Sequence, residues 1–257
     1  MARAVSVLRD GTRAPAGREW VPEAPVALEF NGVAYAVMMA TPADLADFAA
    51  GFAIAEGLAR HGGDIADIGV ARVDNGWIVR TRISGLGAER LAERVRTRVA
   101  ESSCGLCGIE NLEALARPLP RVARHAPLDA AAIFAARDGL RDLQPLGNRT
   151  EAAHAAAWAD TAGQICCVRE DVGRHNAVDK LVGAMMREGG VPASGFLLST
   201  ARCSYEIVEK AVRAGATCLV TISLPTSLAV ERARAAGLSL WALARHDSVL
   251  LVNDASA

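Results

Sequence analysis

Apolar positions alternate in the first third of the chain and run uninterrupted in the second half, and this change of rhythm divides the sequence. Residues 26–39 alternate around Asn31-Gly32, which predicts a β-hairpin because Asn-Gly supplies the positive φ angles of a type I′ turn. Thr41-Pro42-Ala43-Asp44 then combines a cap, a first-turn proline and an acid, the start signal of a helix. Leu45, Phe48, Ala49, Phe52, Ala55 and Leu58 recur at three-to-four spacing, giving that helix one apolar face, and it should stop near His61-Gly62-Gly63. A second hairpin is expected from residues 65–73 and 77–83 across Asp74-Asn75-Gly76. Residues 1–20, rich in Arg, Gly, Pro and Ala, read as a tail or an edge strand.

Residues 88–100 predict an amphipathic helix with Arg90, Arg94 and Arg98 on one face. That face is either solvated and paired with Glu89 and Glu93, or a docking surface for an acidic partner or a phosphate-rich cofactor. Pro118, Pro120 and Pro127 mark a connection. Beyond it helix and strand alternate: helices at 129–143 and 150–158, a strand at 164–169, a helix at 174–187, a strand at 195–199, a helix at 202–214, a strand at 217–223, a helix at 226–236, and strands at 238–245 and 249–252. Short, unalternating apolar strands between helices predict a largely parallel sheet covered on both faces. The expected organisation is a tail (1–20), a smaller N-terminal α+β domain (21–120) and a larger α/β domain (121–257).

Ligands of such sheets bind beyond the carboxyl ends of the strands. This rule picks out Arg169-Glu170-Asp171-Val172-Gly173-Arg174-His175-Asn176, Ser199-Thr200-Ala201-Arg202, Ser223-Leu224-Pro225-Thr226 and Arg245-His246-Asp247-Ser248. Arg174 and Arg202, next to helix N-termini, suit a phosphate-bearing ligand through guanidinium forks and free N–H groups. The alternative is that Asp171, Asn176 and Thr226 only cap helices while the arginines face water. His175 reads equally as a proton carrier or as a filler of the first helical turn. Asn176 and Lys180, four apart, share one helix face.

Composition narrows the function classes. The chain has 257 residues, 51% hydrophobic and 22% charged, with a formal net charge of -1. A globular core is expected, with no global basic field for nucleic acid and no run of apolar residues suited to a bilayer. Met1 to Trp20 holds spread arginines and no apolar core of signal-peptide length, so a cytoplasmic location is expected. Six irregularly spaced cysteines do not make a secreted disulfide framework. Cys203 and Cys218 read as small core residues.

The most concentrated chemistry lies in Ser102-Ser103-Cys104-Gly105-Leu106-Cys107-Gly108, two thiols three positions apart between two polar residues and a glycine. A helix predicted from Gly108 onward would set its N-terminus beside them and favour the thiolate, the reactive form of cysteine. Zinc binding, a thioredoxin-like redox pair and a structural disulfide are the other readings of Cys104 and Cys107. Zinc lacks ligands: there is no second C-x-x-C and no H-x-x-x-H, and adjacent Cys166 and Cys167 on a strand would point to opposite faces. A redox pair would sit after an early strand of a βαβ unit.

Residues 168–180, with the run Glu170-Asp171-Val172-Gly173-Arg174-His175-Asn176-Ala177-Val178-Asp179-Lys180, resemble the FdhD family, the accessory sulfurtransferases of formate dehydrogenase. The likeness extends to Ser103-Cys104-Gly105-Leu106-Cys107-Gly108, to Thr150 with His154-Ala155-Ala156, to Arg202-Cys203-Ser204-Tyr205-Glu206, and to Pro225-Thr226-Ser227-Leu228-Ala229-Val230-Glu231. The resemblance implies a cytidine-deaminase-like three-layer α/β sandwich with a smaller N-terminal α+β domain, often a homodimer, without deaminase chemistry, because H-x-E and P-C-x-x-C are absent. It implies a sulfurtransferase that takes persulfide sulfur from a cysteine desulfurase and delivers it to the molybdenum of the bis(molybdopterin guanine dinucleotide) cofactor, for formate dehydrogenase or a related molybdoenzyme. A cofactor-binding chaperone and a thiol-disulfide oxidoreductase are the alternatives. Cys104 matches the persulfide-bearing position, with Cys107 either passing sulfur on or releasing it as sulfide. The family's C-terminal cofactor segment, an aromatic followed by Arg-x-x-Arg, corresponds here to Leu243, Ala244, Arg245, His246, Asp247 and Ser248, so one arginine and the ring are missing. The family's Thr-Gly-Gly is Thr150-Glu151-Ala152 here, and Ala201 replaces a glycine.

Overall fold

The computed structural model describes residues 4–87, 89, 91, 118–192 and 194–256. The expected helix at 88–100 and the helix start at Gly108 lie outside the described residues, apart from two positions, and so do Cys104 and Cys107.

Strands β1 (Ala4–Val7) and β2 (Arg13–Ala16) pair as a small antiparallel ribbon. The first hairpin, β3 (Ala24–Phe30) and β4 (Val33–Ala40), turns on Asn31 and Gly32 at φ 48° and 82°, the conformation a type I′ turn demands. The second, β5 (Ile65–Val73) and β6 (Gly76–Ile83), joins it in one sheet of order β4-β3-β6-β5, with β6 parallel to β3.

Helix α1 (Leu45–Ala55) packs Phe48 and Phe52 with Phe30 and Tyr35 of this sheet, ring centroids 5.5–6.1 Å apart. It departs from expectation at both ends. It ends at Ala55 rather than near Gly62, where a separate 3-10 turn forms. At its start Asp44 is the N-cap in the left-handed region, with no side-chain capping bond. The Thr41 hydroxyl is used elsewhere, accepting from Val172 N–H at 3.1 Å. The helix is also buried nearly all round, because its second side meets another helix.

That helix is α4 (Arg174–Arg187), with the bounds the periodicity predicts. The two cross backbone to backbone: a Cβ on Gly51 would lie 1.7 Å from the Asp179 carbonyl oxygen, and one on Gly183 1.8 Å from that of Asp47. Only glycine fits at either position, so the crossing sets how the first sheet rests on the second layer.

The larger sheet has the order β12-β11-β10-β9-β7-β8, formed by β7 (His154–Ala159), β8 (Ile165–Asp171), β9 (Phe196–Ser199), β10 (Cys218–Thr221), β11 (Ser239–Ala242) and β12 (Leu250–Asn253). Only the β9–β10 and β10–β11 pairs are parallel; β7 sits antiparallel between β8 and β9, and β12 antiparallel to β11. The sheet is therefore mixed, which corrects the expectation of a largely parallel one.

The predicted helix at 150–158 is also wrong. Helix α3 (Pro145–Thr150) ends there and β7 follows. The run Ala155-Ala156-Ala157-Trp158-Ala159 is buried on both faces, so tertiary burial overrides the helix propensity of alanine.

One face of this sheet packs against α4, α5 (Tyr205–Arg213) and α6 (Ser227–Ala236), through Ala177, Leu181, Val208, Ala211, Ala229 and Ala233. The other packs against α2 (Ala130–Leu140), whose Ile133, Ala136 and Leu140 meet Ala157, Phe196 and Leu198. The result is the three-layer α/β sandwich expected from the sequence, with the smaller sheet and α1 docked on α4.

Candidate functional site

Because β8 lies parallel to β9, β10 and β11, their carboxyl ends share one edge, together with the start of the antiparallel β7. The N-termini of α4, α5 and α6 open on that edge. Strand spacing of about 4.8 Å puts the end of β11 about 19 Å from the end of β8. The residues expected to hold a ligand are thus distributed along it: Leu243 to Ser248 after β11, Arg202 after β9, and Arg174 after β8.

At the β11 end, Leu243 has φ 49°, a costly conformation for a branched side chain. Ala244 beside it is buried and its N–H donates to the Thr221 carbonyl at 3.2 Å. Arg245, His246, Asp247 and Ser248 are exposed, and the turn is closed by Arg245 N–H donating to the Ser248 carbonyl at 2.8 Å. The Ser248 hydroxyl donates to Asp247 and holds its carboxyl below the usual range, with His246 adding to the effect. Arg202 in the middle is exposed.

The β8 end is more organised. Asp171 and Lys180 are both fully buried and pair at 2.6 Å. Asp171 also accepts from Thr41 N–H (3.0 Å), Gly173 N–H (2.7 Å) and the Asn176 amide (3.0 Å), and Lys180 donates to the Thr41 carbonyl at 2.9 Å. The Asn176 amide donates on to the Met39 carbonyl at 2.9 Å. Asn176 and Lys180 do share a face, and with Asp171 they tie the end of β4 to the sheet instead of capping a helix. Thr226 is a true cap, accepting from Ala229 N–H at 3.2 Å. Nearby, Asp47 takes Arg169 at 2.9 Å and Arg187.

Next to this closed network the polar groups are open. His154 begins β7 opposite Asp171, and Arg174 and His175 begin α4. Burial lowers the His154 pKa, and the charges of Arg174 and His175 lower it further. His175 Nε2 lies 3.0 Å from Glu206 and 3.4 Å from the Ser204 hydroxyl, so His175 faces a carboxylate and is more than a filler of the first turn. The bond to His175 holds Glu206 below the usual carboxylate range against its partial burial. His154, Ser204 and Glu206 were legible only as members of a family motif; no spacing rule brings them to Arg174.

The thiols among the described residues differ sharply. Burial pushes Cys203 and Cys218 up to about 12 and removes them from thiolate chemistry at neutral pH. On edge strand β8, Cys166 is exposed; Cys167 is half-buried, its pKa raised by burial although Arg169 opposes the rise. Among the described residues no three His, Cys, Asp or Glu side chains gather to hold a metal ion. A pocket of about 380 Å³ beside β8 is lined by Pro42, Leu146, Arg149, Val168 and Arg169 among others, but its arginines already meet Glu19 and Asp47.

A model of the FdhD/NarQ family matches residues 21–256. The chain belongs to that family. It is 43% identical over 224 residues to the sulfur carrier protein FdhD of Bordetella petrii, covering 87% of this chain and 81% of that one. The sulfur carrier protein FdhD of Xanthomonas euvesicatoria pv. vesicatoria is 45% identical over 229 residues, 89% of this chain and 82% of the relative. A solved structure from Desulfotalea psychrophila, assigned as a formate dehydrogenase accessory protein, superposes with a TM-score of 0.76 over 98% of this chain and 96% of its own, at 24% identity. This likeness in fold spans both sheets. No helix among the described residues is long and apolar enough to cross a membrane.

Proposed function

We propose that this FdhD/NarQ-family protein is a cytoplasmic sulfur carrier that supports formate dehydrogenase or a related molybdoenzyme. A cysteine desulfurase supplies the sulfur: the Cys104 thiolate attacks the outer sulfur of the donor's persulfide, forming a persulfide on Cys104 and releasing the donor thiolate. If Cys107 then attacks the inner sulfur, the products are a Cys104–Cys107 disulfide and hydrosulfide, which is delivered to the molybdenum of the bis(molybdopterin guanine dinucleotide) cargo. The disulfide must be reduced by a cellular thiol before the next cycle. If Cys107 attacks the outer sulfur, it carries the persulfide onward.

The observation that carries this reading is the family match across nearly the whole chain, with relatives named as sulfur carriers, in a sequence that retains both thiols of the C-x-x-C motif. The sealed state of Cys203 and Cys218 supports it by removing two competing thiols. On the cargo side, the sheet edge offers Arg174, Arg202 and the segment Leu243 to Ser248 along a length suited to a dinucleotide, and the left-handed Leu243 marks that segment as one held in a specific shape.

Complementation tests the proposal. In a strain lacking its own gene for this protein, the wild-type chain should restore formate dehydrogenase activity and Cys104→Ala should not. Full activity from a Cys104→Ala, Cys107→Ala double variant would instead establish a carrier of the cofactor that does no sulfur chemistry. Cys107→Ala tests whether Cys107 takes part at all, since loss of turnover with persulfide retained on Cys104 identifies it as the acceptor; in the wild type, a Cys104–Cys107 disulfide with released hydrosulfide marks the inner-sulfur route and a persulfide on Cys107 the outer-sulfur route.

A further inference from the structure

The two faces of the smaller sheet are unlike. One carries Val26, Leu28, Phe30, Val79 and Ile83 into the core that it shares with α1. The side chains between these point the other way, and a sheet face left in water normally carries polar residues. Half of this outer face is apolar instead. The register lines up Val37, Ala27, Ile78 and Ala71 straight across β4, β3, β6 and β5, and Met39, Pro25, Gly76 and Val73 in the next row. Neither row holds a polar side chain. Val37 is 69% exposed, Met39 48% and Val73 42%, so nothing among the described residues covers them. A contiguous apolar patch of this kind marks an interface. Beyond the two rows the face turns polar: Glu29 and Arg80 stand 3.4 Å apart, Asp67 lies opposite Arg82, and with Asn31 and Gly69 they line a groove of about 620 Å³.

We propose that this outer face is a two-fold interface on which a second copy of the chain docks sheet to sheet. The family resemblance implies a homodimer without saying which surface joins the copies. A two-fold axis running along the strands between β3 and β6 exchanges β3 with β6 and β4 with β5. Ala27 then meets Ile78 of the second copy, Val37 meets Ala71, and Met39 meets Val73, so large side chains face smaller ones and the two apolar rows seal each other. The same operation sets Glu29 against Arg80 of the second copy, twice, so the polar rows attract. Packed sheets cross at about 30°, which shifts the outermost pairs and keeps those beside the axis, Ala27 with Ile78 and Glu29 with Arg80. Four strands of seven to nine residues, about 4.8 Å apart, span about 20 by 25 Å. The contact therefore removes roughly 1,000 Å² in all, the lower limit of a specific interface, and the dimer should be a dissociable one.

Sedimentation equilibrium on the full chain is the test. Wild type should dimerise with a dissociation constant on the order of micromolar. Val37→Glu should weaken the dimer at least about tenfold, because the new carboxylate is buried unpaired in the contact. Glu29→Arg and Arg80→Glu should each weaken it as well. An equimolar mixture of those two variants should regain a heterodimer, since each copy then offers the other an opposite charge across the axis. A Glu29–Arg80 pair that serves only its own chain gives no such rescue. Val7→Glu, exposed on the β1–β2 ribbon, should match wild type, and thermal unfolding checks that each variant is folded. A monomer throughout the micromolar range, a dimer indifferent to Val37→Glu, or a mixture no tighter than its separate components overturns the inference. If the chain stays monomeric and a cysteine desulfurase binds it in a Val37-dependent way, the face belongs to a different partner and the inference falls too. Persulfide loading of Cys104 is a separate readout, and its failure in every protein would sink the sulfur-carrier reading and leave this interface standing.

Discussion

Lys180 and Arg174 lie two turns or less apart on one helix, yet their surroundings are opposite. Lys180 is sealed, paired with Asp171 and bonded to the Thr41 carbonyl, in a network that fixes the end of β4 to the larger sheet. Arg174, at the helix start, keeps a dry nitrogen that nothing in the described chain satisfies. A buried charge that serves the fold is surrounded by partners, because leaving one unpaired is costly. Arg174 bears that cost with no partner for its Nε among the described residues.

Mutations can break this contrast from either side. Lys180→Met should cost about 3–5 kcal/mol in urea unfolding, because it strands the Asp171 carboxylate in the interior. Much smaller losses would mean that the pair is not the junction described here. Arg174→Gln should leave stability unchanged or raise it by up to about 3 kcal/mol, since it removes a buried donor nitrogen that makes no bond. A loss on the Lys180 scale would erase the distinction.

Asp179, one residue from Lys180, sharpens it through pH. Burial pushes its pKa up to about 6 even though Lys210 donates to it at 2.6 and 2.8 Å. A raised carboxyl pKa favours the folded state most below pH 3.8, and that contribution is lost as pH rises through 6. Wild type should therefore lose stability relative to Asp179→Asn between pH 4 and 6.5, measured by paired denaturation curves; a constant difference would contradict the burial assignment.

Helix caps give the smallest contrast. Thr226→Ala should cost about 1 kcal/mol by removing a cap bond. Ser204→Ala should cost about half of that or less, because Ser204 stands at the N-cap of α5 without a side-chain capping bond and faces His175.

The sequence exposed the local part of this arrangement. Periodicity gave α4 its correct bounds, and Asn31-Gly32 announced its own turn. What it could not expose depends on long-range pairing. The Ala155 to Ala159 run carries the composition of a helix and becomes a strand only because sheet and helix bury both its faces. Thr41 carries the signal of a cap and spends it on Val172, far along the chain. His154 faces Asp171 because β7 pairs antiparallel with β8, a register no motif encodes. Asp171 and Asn176 carry the side chains of helix caps, and only the fold shows them to be partners of Lys180 and Met39. The cysteine pair was the reverse case, legible in sequence through its spacing and family motif and lying outside the described residues.

The central claim is that Cys104 carries the sulfur. The most direct measurement is intact and peptide mass spectrometry after incubation with a cysteine desulfurase and cysteine, followed by thiol alkylation. The account predicts one added sulfur on the peptide containing Cys104 in wild type and in Cys166→Ala, and none in Cys104→Ala. Sulfur found on Cys166, or undiminished loading of Cys104→Ala, would contradict it.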